Sequence, residues 1–395
     1  MTRYWPRFNR AGFEESVAPI DYLEWYIPRL EELRAHNLSF SGMQYNWNVL
    51  DLLGDTIADI AKPYMGDVDD PKEIIAAREG VNIENVLITN GATQGINIAL
   101  LTAIAKIRDK SNGKITVAVE SPTYAPIPQS ALILADDVIR VNRYPPKDYG
   151  HWRINYEEWS AALKKSDILM ITPISNPSGW FFHKDDLAWI IHQAKISNVT
   201  IIADEAYNDA YREIDDYCSI HSVASNSISI NSLTKVYAMG HIRFGWIVSD
   251  SETIAIARRI FMTFSGIMSS PAMRIGTKVL QQSSIVDEAI ADYRSKNLPK
   301  LRSVFAKHGI VWNEPLSGVF GCFELPNGIH SELFADHYCK VNDLLVVPGT
   351  MFSDSMQNWV RVAWSIDPKS FELAVDALDR SLELALNQKQ VNKSK

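Results

Sequence analysis

SISINSLTKVYAMGHIRFGWIV, residues 227–248, decides how this chain is read. An apolar, β-branched run, SISIN (227–231), ends at Ser232-Leu233-Thr234-Lys235, and a second run, FGWIVSD, covers 244–250. A lone lysine is usually a solvated surface residue. Lys235 instead follows a run with the composition of a strand buried on both faces, and it sits among hydroxyls and small residues. Desolvation in such a place disfavours the ammonium and lowers its pKa. That makes Lys235 a candidate Schiff-base nucleophile. Ser232, Thr234 and Arg243 are spaced to supply donors to a phosphate, Arg243 through its bidentate fork.

Outward from this stretch the same pattern recurs. VLIT (86–89) precedes Asn90-Gly91 and the helix-like INIALLTAIAKI; ITVAVE (115–120) precedes Ser121-Pro122; DILMIT (167–172) precedes Pro173; VTIIAD (199–204) precedes Glu205-Ala206-Tyr207. Apolar runs alternating with helical patterns predict an α/β fold with a mostly parallel, doubly wound sheet. After about residue 285 the pattern changes to a charged helical stretch, then VFGCFEL, a helix at 331–340, LLVVPG and WVRVAW. We expect a large unit over 46–285. A smaller α+β unit is expected from 286–395 together with an irregular, aromatic-rich arm, 1–45. In open α/β sheets the ligand binds at the carboxyl ends of strands, at a topological switch point. Gly91-Ala92-Thr93, Tyr124, Asn176, Asp204, Tyr207, Ser232 and Lys235 all stand at such ends and are expected around one ligand.

Composition narrows the function. The 395 residues carry a formal charge of −8, whereas a general nucleic-acid binder needs a basic face. Three scattered cysteines, with no Cys-x-x-Cys pair, make neither a disulfide framework nor a thiolate zinc site, and the nine histidines contain no His-Glu-x-x-His. No metal is expected. No stretch approaches 18 uninterrupted apolar residues, and the N-terminal MTRYWPRFNRAGFEES lacks an apolar secretory core. A cytoplasmic protein without a membrane segment is the expectation.

Two other segments admit rivals. Asp204 and Glu205 are adjacent, so on strand geometry they face opposite ways and one of them reaches the site. An acidic pair after an apolar run also suits a P-loop ATPase, but no G-x-x-x-x-G-K-[ST] exists here. Gly91-x-Thr93-x-Gly95 has the form of a nucleophile elbow with Thr for Ser. A hydrolase built on it would draw on His308, His330 or His337, and this reading stays open. It leaves Lys235, Arg243 and Asp204 unexplained.

ITNGATQG, ESPTYAP, TPISNPSG, IIADEAY, SLTK with HIRFG, and WVRVAW come in this order between Tyr64 and Arg361. Together they resemble the successive motifs of the pyridoxal-phosphate enzymes of fold type I, class I/II aminotransferases. The resemblance implies that Lys235 holds the coenzyme and shuttles a proton to it. Asp204 is similar to the carboxylate facing the pyridine nitrogen, which makes the ring a better electron sink. Tyr207 and Asn176 resemble the pair bonding the coenzyme 3′-oxygen, Tyr124 the aromatic stacked on the ring. Ala92, Thr93, Ser232, Thr234 and Arg243 resemble the phosphate cup. Tyr64 resembles a tyrosine that reaches the partner's phosphate, which implies a homodimer. Arg361 resembles the clamp on the substrate α-carboxylate, with Asn176 beside it, and Gly42 in FSGMQYN (40–46) the substrate-side glycine.

The implied reaction moves an amino group from an L-amino acid to a 2-oxo acid. A lyase or cyclising synthase of the same fold is the alternative, and a non-catalytic regulator is disfavoured by the lysine and by the lack of a DNA-binding extension. Ser178 stands where the family usually has Thr. No second arginine aligns with a side-chain carboxylate, although Arg258, Arg259 and Arg274 lie near. The side-chain pocket is expected to involve the N-terminal segment and the loop Met262–Ser270, with Phe261, Met262, Phe264 and Met268. Activity on aromatic or other apolar amino acids is therefore expected.

Overall fold

The apolar runs become strands of one eight-stranded sheet in the computed structural model, which describes residues 20–64, 70–110, 113–147, 149–215 and 217–393. Across the sheet the order is Val86–Thr89, Gly245–Val248, Ser227–Ser232, Thr200–Asp204, Ile168–Ile171, Thr116–Ser121, Asp137–Tyr144 and Arg153–Ile154. Gly245–Val248 and Arg153–Ile154 run against the other strands, which are parallel to one another.

Helices cover both faces, which is why the central strands are apolar throughout. On one face Ile96, Leu100 and Ile104 of the helix Ala92–Arg108 pack with Ile202, Ile228 and Ile247. On the other, Trp159, Ile190 and Ala194 pack with Leu169, Ile171 and Ile201. Two strands were not legible in the sequence, Asp137–Tyr144 and Arg153–Ile154. In DVIRVNRY only Val141 and Arg143 are buried, so the strand, next to a sheet edge, has no continuous apolar run.

The smaller unit has a three-stranded antiparallel sheet, Phe320–Glu324, Trp359–Ala363 and Val347–Pro348. Its core includes Leu298, Leu301 and Phe305 of the helix Ser284–Lys307, and Ala374, Leu378 and Leu382 of the helix Pro368–Lys393. Tyr22, Trp25 and Leu38 join that core, and His36–Asn37 pairs in parallel with Leu344–Leu345. Residues 1–19 of the expected arm lie outside the described residues. The rest of the arm is less irregular than expected, because DYLEWYIPRLE forms the helix Asp21–Glu31 with Tyr22 and Trp25 buried. Pro28 stands in its last turn and obscures the periodicity. The expected division at 285/286 falls inside the helix Ser284–Lys307. Val286 and Ile290 of that helix pack with the large unit, while its later residues pack with the small one.

Candidate active site

The strand ends converge on a cavity of about 250 Å³. Ala92, Thr93, Tyr124, Asn176, Asp204, Tyr207, Ser232, Thr234, Lys235 and Arg243 all line it, so residues spread over 150 positions of sequence meet around one space. Ile96, Thr172 and Ala206 also line it and were not singled out from the sequence. A polar residue directly after DILMI was the available signal for Thr172. A wider hollow, about 790 Å³, opens at the other ends of the same strands beside Asp167, Thr200 and Asn226. Ligands in such sheets bind at the carboxyl ends, so the smaller cavity is the candidate.

One end of the cavity suits an anion. Gly91, at φ 83°, turns the chain from the strand Val86–Thr89 into the helix Ala92–Arg108. The unpaired N–H groups of that first turn and the helix dipole favour negative charge. A Cβ on Gly91 would lie 2.5 Å from an Arg243 terminal nitrogen, so the guanidinium rests against bare backbone. Arg243 donates to the carbonyls of Gly240 at 3.0 Å and Asn90 at 3.4 Å. The Thr234 hydroxyl is buried without a hydrogen-bond partner among the described residues.

The other end holds the lysine and the carboxylate. Burial lowers the Lys235 amine to about 8; Arg361 adds to the effect and Asp204 opposes it. Lys235 keeps some exposure towards the cavity, but protein surrounds its ammonium. Its Nζ donates to Ser41 Oγ at 2.7 Å and lies 5.8 Å from the centre of the Tyr124 ring. Burial raises Asp204 to about 6, against the pull of the Ala206 N–H and of Lys235. Glu205 turns away and accepts hydrogen bonds from Ser219 Oγ at 2.6 Å and the Ile220 N–H at 2.7 Å. The Tyr207 hydroxyl is buried; Ser41 approaches it, but without good hydrogen-bond geometry.

Arg361, Gly42 and Tyr64 do not line this cavity. Arg361 is fully buried in the middle strand of the small sheet, so it is not a surface residue. Its guanidinium donates to Asn176 Oδ1 at 2.8 Å and to the Ser39 carbonyl at 2.7 Å, while its Nε has no partner among the described residues. It therefore reaches the cavity wall through Asn176. Gly42 packs on the lysine's own backbone: a Cβ there would lie 2.8 Å from the Lys235 carbonyl oxygen. The Tyr64 ring lies under Arg274, 5.5 Å from its guanidinium carbon, and Arg274 donates to the carbonyls of Lys62 and Pro63. Arg274 is thus held by backbone, and Arg258 and Arg259 are exposed on their helix.

Two expectations need correction. The loop Met262–Ser270 does not line the cavity within the chain. Phe261 is buried in the core beneath the sheet's helices, and Met262, Phe264 and Ile267 face outward, the last two 70% and 86% exposed. The aromatic residues near Arg361 come from the small unit and from the N-terminal segment. Phe352 and Phe320 each lie 5.2 Å from its guanidinium carbon, and Tyr22 sits edge-on to Tyr124 and stacked with Tyr26. The hydrolase elbow also loses its histidine. His308 pairs with Asp379, His330 caps a short helix, His337 packs on Tyr338, and no histidine lines the cavity.

Known proteins share this arrangement of sequence and fold. The sequence profile described as aminotransferase class I and II matches residues 72–378. An aspartate aminotransferase of Pyrococcus horikoshii is 23% identical over 312 residues, which is 77% of this chain and 76% of that protein. Aromatic-amino-acid aminotransferase 2 of Thermococcus litoralis is 23% identical over 341 residues, 84% of this chain and 82% of its own. The solved N-succinyldiaminopimelate aminotransferase of Mycobacterium tuberculosis superposes with a TM-score of 0.80 at 19% identity, over 94% of this chain and 100% of that one; this likeness is one of fold. With the profile spanning most of its length, the chain belongs to the aminotransferase class I and II family, whose enzymes depend on pyridoxal phosphate, and it is an aminotransferase.

Proposed function

We propose that this chain binds pyridoxal phosphate in the Lys235 cavity and moves an amino group from an L-amino acid, aromatic or otherwise apolar, to a 2-oxo acid. The carrying observation is a lysine amine lowered to about 8, facing Asp204 at one end of a cavity whose other end suits an anion. Polar atoms left unpaired among the described residues fit the coenzyme: Thr234 Oγ1 suits its phosphate and Tyr207 Oη its 3′-oxygen. Bare Gly91 lets the Arg243 guanidinium lie against the backbone at that end.

Ala92, Thr93, Ser232, Thr234 and Arg243 would hold the phosphate. Asp204 would hold the protonated ring nitrogen and Tyr124 the ring face. Bound pyridoxal phosphate supplies an aldehyde carbon and an electron-withdrawing ring. Lys235, partly neutral near pH 8, would hold the coenzyme through its amine and, when free, would take and return the substrate Cα proton. Arg361 orients the α-carboxylate through its planar fork, Asn176 holds the fork, and Gly42, bare of a side chain, lets its loop pack against the lysine's backbone.

The substrate class rests on the aromatic residues about Arg361 and on the engagement of Arg274 by backbone carbonyls. A homodimer is supported by the exposed Phe264 and Ile267 and by Val49 and Leu50, also exposed, on a short helix packed against the helix Ser270–Gln281. Met65 and Gly66, which follow Tyr64, lie outside the described residues. The free thiols Cys218, Cys322 and Cys339 suit a reducing, cytoplasmic setting. No helix of the described residues is long and apolar enough to cross a membrane.

The test has two stages. Borohydride reduction of the coenzyme-loaded protein followed by peptide mapping is expected to find the pyridoxyl group on Lys235; a label on another lysine sinks the assignment. Steady-state kcat/KM is then measured with aspartate, glutamate, phenylalanine, tyrosine, leucine and alanine as donors and 2-oxoglutarate as acceptor. Phenylalanine, tyrosine or leucine is expected to react at a rate comparable with the acidic donors or above it. Strict dicarboxylate selectivity overturns the substrate class. Ammonia or a cyclised product without stoichiometric amino transfer moves the chain to a lyase or synthase.

A further inference from the structure

Ser41 meets the reactive atom of the site. Its Oγ accepts a hydrogen bond from Lys235 Nζ at 2.7 Å. The loop that carries it is fixed by other groups. Met43 N–H donates to the Lys235 carbonyl at 2.8 Å, Ser365 Oγ donates to the Gly42 carbonyl at 2.9 Å, and Arg361 donates to the Ser39 carbonyl at 2.7 Å. The space above Lys235 is so tight that position 42 has no room for a Cβ. None of these contacts uses the Ser41 hydroxyl, so the loop is held in place by other groups while that hydroxyl meets the amine, with the Tyr207 hydroxyl on its other side.

We propose that Ser41 is a catalytic residue of the amino-transfer site: its hydroxyl fixes the direction of the Lys235 amine while that amine carries the substrate proton. The proposal rests on the amino-transfer reading. A lysine side chain has more rotamer freedom to lose than most, and proton transfer needs its nitrogen in hydrogen-bond reach of the reacting carbon. With one N–H donated to Ser41, the lone pair of the neutral amine has a set direction. The remaining groups about the amine do not do this. Asp204 attracts it and Arg361 and Arg243 repel it through space, the Tyr124 ring faces it without accepting a directed bond, and the Tyr207 hydroxyl faces Ser41.

Ser41→Ala tests this in two ways. In coenzyme-free protein, acylation of Lys235 is followed against pH by peptide mass. Ser41 accepts from the ammonium and so supports the charged form; its loss lowers the labelling midpoint, by about half a unit or more. In the loaded enzyme kcat falls about tenfold, KM changes less than about twofold, and the isotope effect with Cα-deuterated donor increases. Ser41→Thr, which keeps the hydroxyl, returns the midpoint and most of kcat. An unmoved midpoint in an otherwise active Ser41→Ala enzyme overturns the proposal, and so do unchanged kcat and isotope effect. A wild-type chain that transfers no amino group, while the midpoint still shifts in Ser41→Ala, overturns the amino-transfer reading and supports the Ser41–Lys235 contact alone.

Discussion

Burial raises the Asp204 carboxyl to about 6 and the Glu205 carboxyl to about 7, but the two side chains meet different partners. Glu205 accepts from Ser219, Ile220 and Ser229 and ties the turn after its strand to the neighbouring strand. Asp204 faces the cavity with one backbone N–H as partner. Its raised pKa means that the coenzyme-free fold binds a proton more tightly than the unfolded chain. The burial of its charge therefore has no effect below the unfolded value of 3.8. Between 3.8 and about 6 it progressively destabilises the fold, and above about 6 the loss is complete. Asp204→Asn is thus expected to stabilise the coenzyme-free protein at pH 7.5 by on the order of 1–3 kcal/mol, and by nothing at pH 3.5. Turnover falls on the order of a hundredfold or more with it. Urea unfolding at the two pH values measures the first effect. Glu205→Ala strands four donors, Asn208 Nδ2 among them, and is expected to destabilise by roughly 2–4 kcal/mol, with kcat per folded molecule nearly intact. Greater damage to turnover from Glu205→Ala would reverse the two roles.

Among the elements, the turn between the strand Val86–Thr89 and the helix Ala92–Arg108 is the most constrained. It must reach φ 83° at Gly91 and leave the Arg243 guanidinium against the backbone. Arg243 itself adopts a left-handed conformation, φ 54°, on leaving a short 3₁₀ turn. Two unusual backbone conformations, more than 150 residues apart, therefore combine to form one anion pocket. Gly91→Ala adds strain of about 1–3 kcal/mol and displaces the guanidinium. Coenzyme affinity, followed by fluorescence titration, is expected to weaken at least about tenfold. Circular dichroism of the coenzyme-free protein should change little, since the helix beyond the turn is untouched. Undiminished affinity would remove Arg243 and Gly91 from the phosphate site.

For the whole molecule, the proposed dimer has a direct test. Tyr64 lies outside the cavity of its own chain, beside Arg274, and its N–H donates to Ser270 Oγ at 2.8 Å. If Tyr64 serves the partner's cavity, each site takes Lys235 from one chain and Tyr64 from the other. Chains carrying Tyr64→Phe and chains carrying Lys235→Ala, co-expressed and purified as mixed dimers, then form one site with both lesions and one with neither. Mixed dimers should regain up to about half of wild-type activity per dimer. Activity no greater than that of the Tyr64→Phe homodimer rules out the shared site.

Sequence by itself determined the class of the sheet and the composition of the cavity. Strands buried on both faces must be apolar throughout, so SISIN and VTIIAD were legible without any neighbour, and the polar residues that end them could not stay on the strand. Lys235, Asp204 and Asn176 stood out for that reason, and Arg243 for its spacing from Lys235. What the tertiary structure decided is everything that depends on segments distant in the chain. The strand Asp137–Tyr144, next to the sheet's edge, hides in a mixed polar sequence because one side of it is less covered. The helix Asp21–Glu31 becomes recognisable through Tyr22 and Trp25 packing on a core built from residues beyond 290. Arg361, in a run that alternation alone leaves ambiguous, is buried because Asn176 and Ser39 supply its acceptors. Ser41 had no local signal at all: a serine in an irregular stretch acquires chemistry only when folding sets its hydroxyl against an amine 194 residues away.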